Sequence, residues 1–169
     1  PFSFNNLKEL KEIVKNNNLA AIKMEVERNL PPKANFLQEV RKICDRNNIV
    51  LIFDECTSGF RETFGGLHLK YGVDPDMAIF GKALGNGYAI TSIIGKKQVM
   101  EAAQTTFISS TFWTERIGPS AALKTLEVMK ELRSWEMITE TGIFIKSRWK
   151  KMFDNHKIKY KDTGIAALA

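Results

Sequence analysis

No apolar run in the 169-residue sequence approaches the roughly 18 residues that a helical membrane span requires. The opening Pro1-Phe2-Ser3-Phe4 has neither the basic nor the apolar region of a secretory signal, so a cytoplasmic protein without a membrane partner is expected. Cysteine is scarce. Cys44 and Cys56 are too far apart for a C-x-x-C pair and too few for a disulfide scaffold, which predicts two reduced thiols. The two histidines, His68 and His156, have no second His or Cys at ligand spacing, and no metal site is expected. Charge is present in excess of one sign, +6 net, but much of that excess lies between Lys146 and Lys161. No recognition-helix, zinc-finger or RNP-type pattern accompanies it, so it reads as a solvated helix face and no nucleic-acid partner is expected.

What is present suits a single globular unit: 44% of the residues are hydrophobic. Apolar residues at helical spacing predict helices over residues 3–14, 36–45, 97–103, 118–132 and 135–151. Asn35 and Gln38, three apart, resemble a capping box at the start of the second of these. Strands are predicted over 19–26, 49–53, 77–80, 89–94 and 106–108. The run Ile49-Val50-Leu51-Ile52-Phe53 has the continuous apolar character of a strand buried on both faces. Strand, helix, strand in that order argues a parallel β-α-β unit, hence an α/β fold.

In such sheets ligands sit beyond the carboxyl ends of the strands, where loops diverge. The 49–53 strand ends abruptly in Asp54-Glu55, and an unpaired buried carboxylate there costs several kcal/mol, so a cationic group or ligand should meet it. The next strand runs into Gly81-Lys82-Ala83-Leu84-Gly85-Asn86-Gly87-Tyr88, which holds a lysine where the backbone bends closely. A lysine in such a loop can act as an amine nucleophile toward an aldehyde. Pyridoxal phosphate needs that amine, and an acid beside its ring nitrogen, and Lys82 and Asp54 supply both. A loop lysine alone is more often a solvated charge. A P-loop reading of Gly81-Lys82 fails on detail, because Asp76 and Ala83 stand where Gly and Ser or Thr are required.

Three blocks together carry more: Asp54-Glu55-Cys56-Thr57-Ser58-Gly59-Phe60-Arg61, Tyr71-Gly72-Val73-Asp74-Pro75-Asp76-Met77, and the lysine loop of residues 81–88. In this order and spacing they resemble the signature of the class III aminotransferases, and the Gly-Phe-Arg ending is most similar to the glutamate-1-semialdehyde aminomutase branch. The resemblance implies the large domain of a fold-type I pyridoxal-phosphate transferase, α/β with a mostly parallel sheet flanked by helices, and a homodimer. It makes Lys82 the catalytic Schiff-base lysine and Asp54 the partner of the pyridine nitrogen. It puts Cys56 under the cofactor ring where Val is usual, and aligns Thr111 with a threonine that reaches the neighbouring subunit's cofactor phosphate. Glu55 is implied as an orienting residue, with a plain surface carboxylate as its alternative, and Glu25 as a further supporting acid.

Departures from the pattern are Thr114-Glu115-Arg116 in place of Gly-Asn-Pro, and Val26 where many members have Pro. The family's phosphate loop and its stacked aromatic precede the stretch represented here. Residues 1–133 are thus expected to form part of the cofactor domain, and 134–169 a connecting helix and the start of a small domain. Such a piece is expected to be inactive alone. The expected activity of the intact protein is amino-group transfer between a small-molecule amino donor and an aldehyde or keto acceptor. An intramolecular aminomutase and a non-catalytic, partner-binding module are the alternatives.

Overall fold

A computed structural model of the chain describes residues 1–109, 111 and 114–169. The chain begins with α1 (Leu7–Asn16), β1 (Ala21–Glu25), α2 (Phe36–Arg46) and β2 (Val50–Asp54). It continues through α3 (His68–Tyr71), β3 (Met77–Phe80), β4 (Ser92–Gly95), α4 (Lys97–Met100), α5 (Ile117–Leu132) and α6 (Ser134–Asn155). Short 3-10 turns lie at Lys82–Leu84, Glu101–Thr105 and Ala166–Leu168.

The strands form one mixed sheet in the order β1-β2-β3-β4, with β1, β2 and β3 parallel and β4 antiparallel to β3. Strand periodicity sends Ile22, Met24, Leu51 and Phe53 into a core with Leu10 of α1 and Phe36, Leu37, Val40 and Cys44 of α2. A second core joins Ala78 and Phe80 of β3 to Phe60, Leu84 and Ala122 of α5. The alternate residues Lys23, Glu25, Ile52, Asp54, Met77 and Ile79 share the opposite face, and none of them is fully buried. β2 is therefore buried on one face only among the described residues, not on both as its apolar run suggested.

Two further expectations give way. The cap of α2 is not a capping box: Asn35 is left-handed (φ +62°) with no side-chain cap bond, and the Gln38 amide donates instead to the Tyr71 carbonyl at 3.1 Å. The reciprocal arrangement occurs at α1. There the Asn6 side chain accepts from the Glu9 N–H at 3.2 Å, while the Glu9 carboxylate accepts from the Asn6 amide at 3.1 Å and the Ser3 N–H at 2.8 Å. The strand expected over 106–108 does not form. β4 takes the edge of β3, the preceding residues coil into the 3-10 turn, and Phe107 is left 95% exposed.

The end of the chain docks back on the sheet domain. Ile165 is buried in the first core, and the Gly164 N–H donates to the Asn29 carbonyl at 3.1 Å. Lys146 of α6 pairs with Asp162 at 2.8 Å and donates to the Gly164 carbonyl at 2.7 Å. Gly142 lets this segment cross α6, because a Cβ there would lie 1.8 Å from the Ala166 carbonyl oxygen.

Candidate functional site

The site starts where β2 stops. The Glu55 N–H extends the ladder by one bond to the Ile79 carbonyl (2.8 Å), and the chain then folds into a tight turn closed by Gly59 N–H to the Glu55 carbonyl at 2.8 Å. Gly59 has no room for a side chain: a Cβ would sit 2.7 Å from both the Glu55 carbonyl oxygen and the Phe80 ring. This turn leaves the Asp54 carboxylate at the carboxyl end of the interior strand β2, partly exposed. Its Oδ2 lies 2.8 Å from Lys23 Nζ, and its Oδ1 accepts the Cys56 N–H at 3.1 Å. The Lys23 hydrogen bond, with help from the Cys56 N–H and against partial burial, holds Asp54 below the usual carboxylate range. The same bond raises the Lys23 ammonium above its ordinary value.

β3, one strand over, delivers Lys82. Gly81 packs against Cys56, since a Cβ there would lie 3.3 Å from the Cys56 sulfur, so the 54–57 and 81–82 segments touch. Lys82 adopts φ +41°, in the left-handed region that is uncommon for residues with a branched or long side chain. Its Nζ donates to the Thr57 hydroxyl at 2.5 Å. Asp54, Cys56, Thr57 and Lys82 are thereby brought together at the carboxyl ends of two adjacent parallel strands. Burial, reinforced by the Asp54 carboxylate, pushes the Cys56 thiol up, so it is a neutral, soft surface at neutral pH.

Glu55 is fully buried, which rules out the surface-carboxylate alternative. One oxygen accepts the His68 N–H at 3.0 Å and faces His68 Nδ1 at 2.8 Å, while the other accepts the Ser58 hydroxyl. Burial alone would raise this acid, but the His68 and Ser58 hydrogen bonds outweigh it and hold Glu55 below its ordinary value. Glu25 stands beside Asp54 in the β1–β2 register and meets Arg28 at 3.5 Å. Thr111 is exposed and shares no hydrogen bond with the Asp54–Lys82 group among the described residues. Its motif neighbours Ser110, Phe112 and Trp113 lie outside the described residues.

Sequence reasoning missed three participants. Lys23 was legible in principle, because it stands two residues before Glu25 on a strand parallel to β2 and so shares the face of Glu25 and Asp54. Thr57 lay inside a quoted motif without a role. His68 lay outside the blocks, and only the fold brings it back to Glu55. A cleft of about 810 Å³ adjoins the lysine turn, walled by Phe60, Arg61, Lys82, Asn86 and Tyr88 on one side and by Lys124, Met129 and Ser134 on the other. Asp54 and Cys56 are not among its walls.

The donor set fits a pyridine aldehyde cofactor. One carboxylate oxygen of Asp54 already receives a cationic N–H donor, and an amine stands on the neighbouring strand end in contact with the same loop. Among the described residues no helix is long and apolar enough to cross a membrane.

The family model described as aminotransferase class-III matches residues 3–161. The 3-aminobutyryl-CoA aminotransferase of Cloacimonas acidaminovorans is 37% identical over 134 residues, which is 79% of this chain and 32% of that protein. A glutamate-1-semialdehyde 2,1-aminomutase of Nitrosopumilus maritimus is 37% identical over 139 residues, covering 78% of this chain and 33% of that protein. Among solved structures, the PLP internal aldimine form of the FumI protein of Sphingopyxis sp. MTA144 superposes with a TM-score of 0.92 at 25% identity. The match covers 98% of this chain and 42% of that one. The chain thus spans about a third of the length of the first two relatives.

Proposed function

Since the chain belongs to the class III aminotransferase family, a family of pyridoxal-phosphate-dependent enzymes, we propose that the intact protein is such an aminotransferase. In this reading it moves an amino group between a small-molecule amino donor and an aldehyde or keto acceptor, and works in the cytoplasm as a homodimer. Residues 1–133 belong to the cofactor domain, and 134–169 lead into a smaller one. The observation that carries the reading is the meeting of Lys82 and Asp54 at adjacent strand ends, joined through Cys56 and Thr57.

When bound, pyridoxal phosphate supplies an aldehyde carbon and an electron-withdrawing ring. Asp54 would hold the ring nitrogen with a charge-assisted hydrogen bond. Lys82 would hold the cofactor through its amine and would move the proton at the substrate's amine-bearing carbon. Thr57 accepts from the lysine amine, and Cys56 would offer the ring a small, soft apolar contact. Glu55, through Ser58 and His68, fixes the turn that aims Asp54 and Thr57, with Glu25 beside them as supporting acid. Thr111 would donate its hydroxyl to the phosphate of the neighbouring subunit's cofactor.

Borohydride reduction of the full-length protein with pyridoxal phosphate, followed by peptide mapping, tests the assignment. The label is expected on Lys82. Label on another lysine refutes the role of Lys82, and no label on any lysine favours the non-catalytic module. The aminomutase relative supports a second reading, in which the same residues shift an amine within one molecule. A nitrogen-15-labelled donor separates the two: transfer of label to a second compound is expected of an aminotransferase, and retention within one skeleton of a mutase.

A further inference from the structure

Lys23 is the unassigned charge nearest the proposed chemistry. It projects from β1 onto the same sheet face as Asp54 and places its ammonium 2.8 Å from Oδ2. The other oxygen is taken by the Cys56 N–H at 3.1 Å, so the carboxylate has both oxygens engaged without any ligand. Two cations on one carboxylate oxygen repel each other, and a ring N–H that approaches Asp54 must contend with the ammonium already there. Lys23 has somewhere else to go. Its side chain is 56% exposed on a flexible stem, and Glu25, two residues along the same strand face, has Arg28 at 3.5 Å as its one ion-pair partner among the described residues.

We propose that Lys23 is an internal counter-ion of Asp54 which the cofactor's ring nitrogen must displace, and that Glu25 receives the displaced ammonium. The inference rests on the cofactor reading above. It makes cofactor uptake an exchange of ion pairs: Asp54 passes from the lysine to the ring, and the lysine from Asp54 to Glu25. Asp54 is never left without a cation, so it stays ionised and aimed before and after the exchange.

The test compares two ligands on the full-length protein: pyridoxal phosphate, and its carbocyclic analogue in which the ring nitrogen is replaced by C–H. Both carry the same aldehyde and phosphate, so the ratio of their dissociation constants, measured by absorbance titration, isolates what happens at the ring nitrogen. Lys23→Met should shift that ratio toward pyridoxal phosphate by about threefold to fivefold, the size expected for a half-exposed ion pair. Lys23→Arg, which keeps the cation, should leave the wild-type ratio. Glu25→Gln, which removes the receiving carboxylate, should shift it the opposite way. In an Asp54→Asn background Lys23→Met should change nothing. An unchanged ratio in Lys23→Met, with pyridoxal phosphate still bound, overturns the exchange while leaving the proposed function intact. Failure of the wild type to bind either compound overturns both.

Discussion

At the scale of the residue, the consecutive acids Asp54 and Glu55 at the end of β2 have been given different tasks. Asp54 stays at the rim with a cation beside it, and Glu55 disappears into a cage of Ser58 and His68 donors. Asp54→Asn is expected to leave the fold intact and to lower turnover of the full-length enzyme by about 100-fold, since ~3 kcal/mol of transition-state stabilisation corresponds to that factor. Steady-state kinetics alongside circular dichroism checks it. Glu55→Ala should instead destabilise by about 3 kcal/mol, because it strands the donors of a buried network, and urea unfolding reads this directly. The pH dependence follows from the sign of the shift. The folded-state value of Glu55 is depressed from 4.5, so its contribution is complete above that value and is lost as pH falls through the lower, folded-state value. Stability curves of wild type and Glu55→Gln should therefore converge on the acid side. At this scale the sequence was informative about identity and silent about partners. Lys82 and Asp54 stood out because each closes an apolar strand, whereas Thr57 and Lys23 matter only through distances that parallel pairing creates.

Elements were legible wherever a periodic apolar pattern met a matching core. α2, β3 and α5 lie within a residue of expectation because Phe36 to Cys44, Ala78 with Phe80, and Ala122 each face a partner surface. Expectation failed where the deciding interaction is remote. Asn35 looks like a cap, yet its left-handed backbone turns the side chain away from the helix, and Gln38 finds Tyr71, 33 residues distant. Residues 106–108 have strand-forming composition, but β4 already occupies the open edge of β3. The contact between α6 and the chain's last turn gives a test at this scale. Gly142→Ala would drive a methyl group into the Ala166 carbonyl, and overpacking of this kind costs about 1–3 kcal/mol. Residues 162–169 should then detach, seen as faster proteolysis and amide exchange there, while β1, β2 and β3 keep their protection.

For the whole molecule, the described sheet is finished on one face and open on the other. The α1 and α2 side is packed, whereas Ile52, Met77 and Ile79 remain partly exposed beside Lys23 and Asp54. Global organisation was thus only half legible: local pattern identified the fold class, but the apolar run of β2 promised a second covered face that the described residues do not supply. Thr111 belongs to this scale too, because its proposed partner is another subunit. Mixing Thr111→Val with Lys82→Ala full-length subunits should rebuild one complete site per heterodimer, detected as wild-type cofactor affinity in a fraction of sites. Affinity that stays at the Thr111→Val level in every lysine-bearing site would refute the cross-subunit role. The reversal of direction at β4 has a mechanical consequence. Because Phe80 pairs with Ser92, the two ends of the segment carrying Lys82 are riveted side by side on the same sheet, like a handle bolted to a plate at both ends. Such a handle resists being pulled away as a whole and yields only within its own span, where Gly87 is left-handed with open space around it. Movement of the Lys82 amine would then be taken up within this span rather than in the strands that carry Asp54.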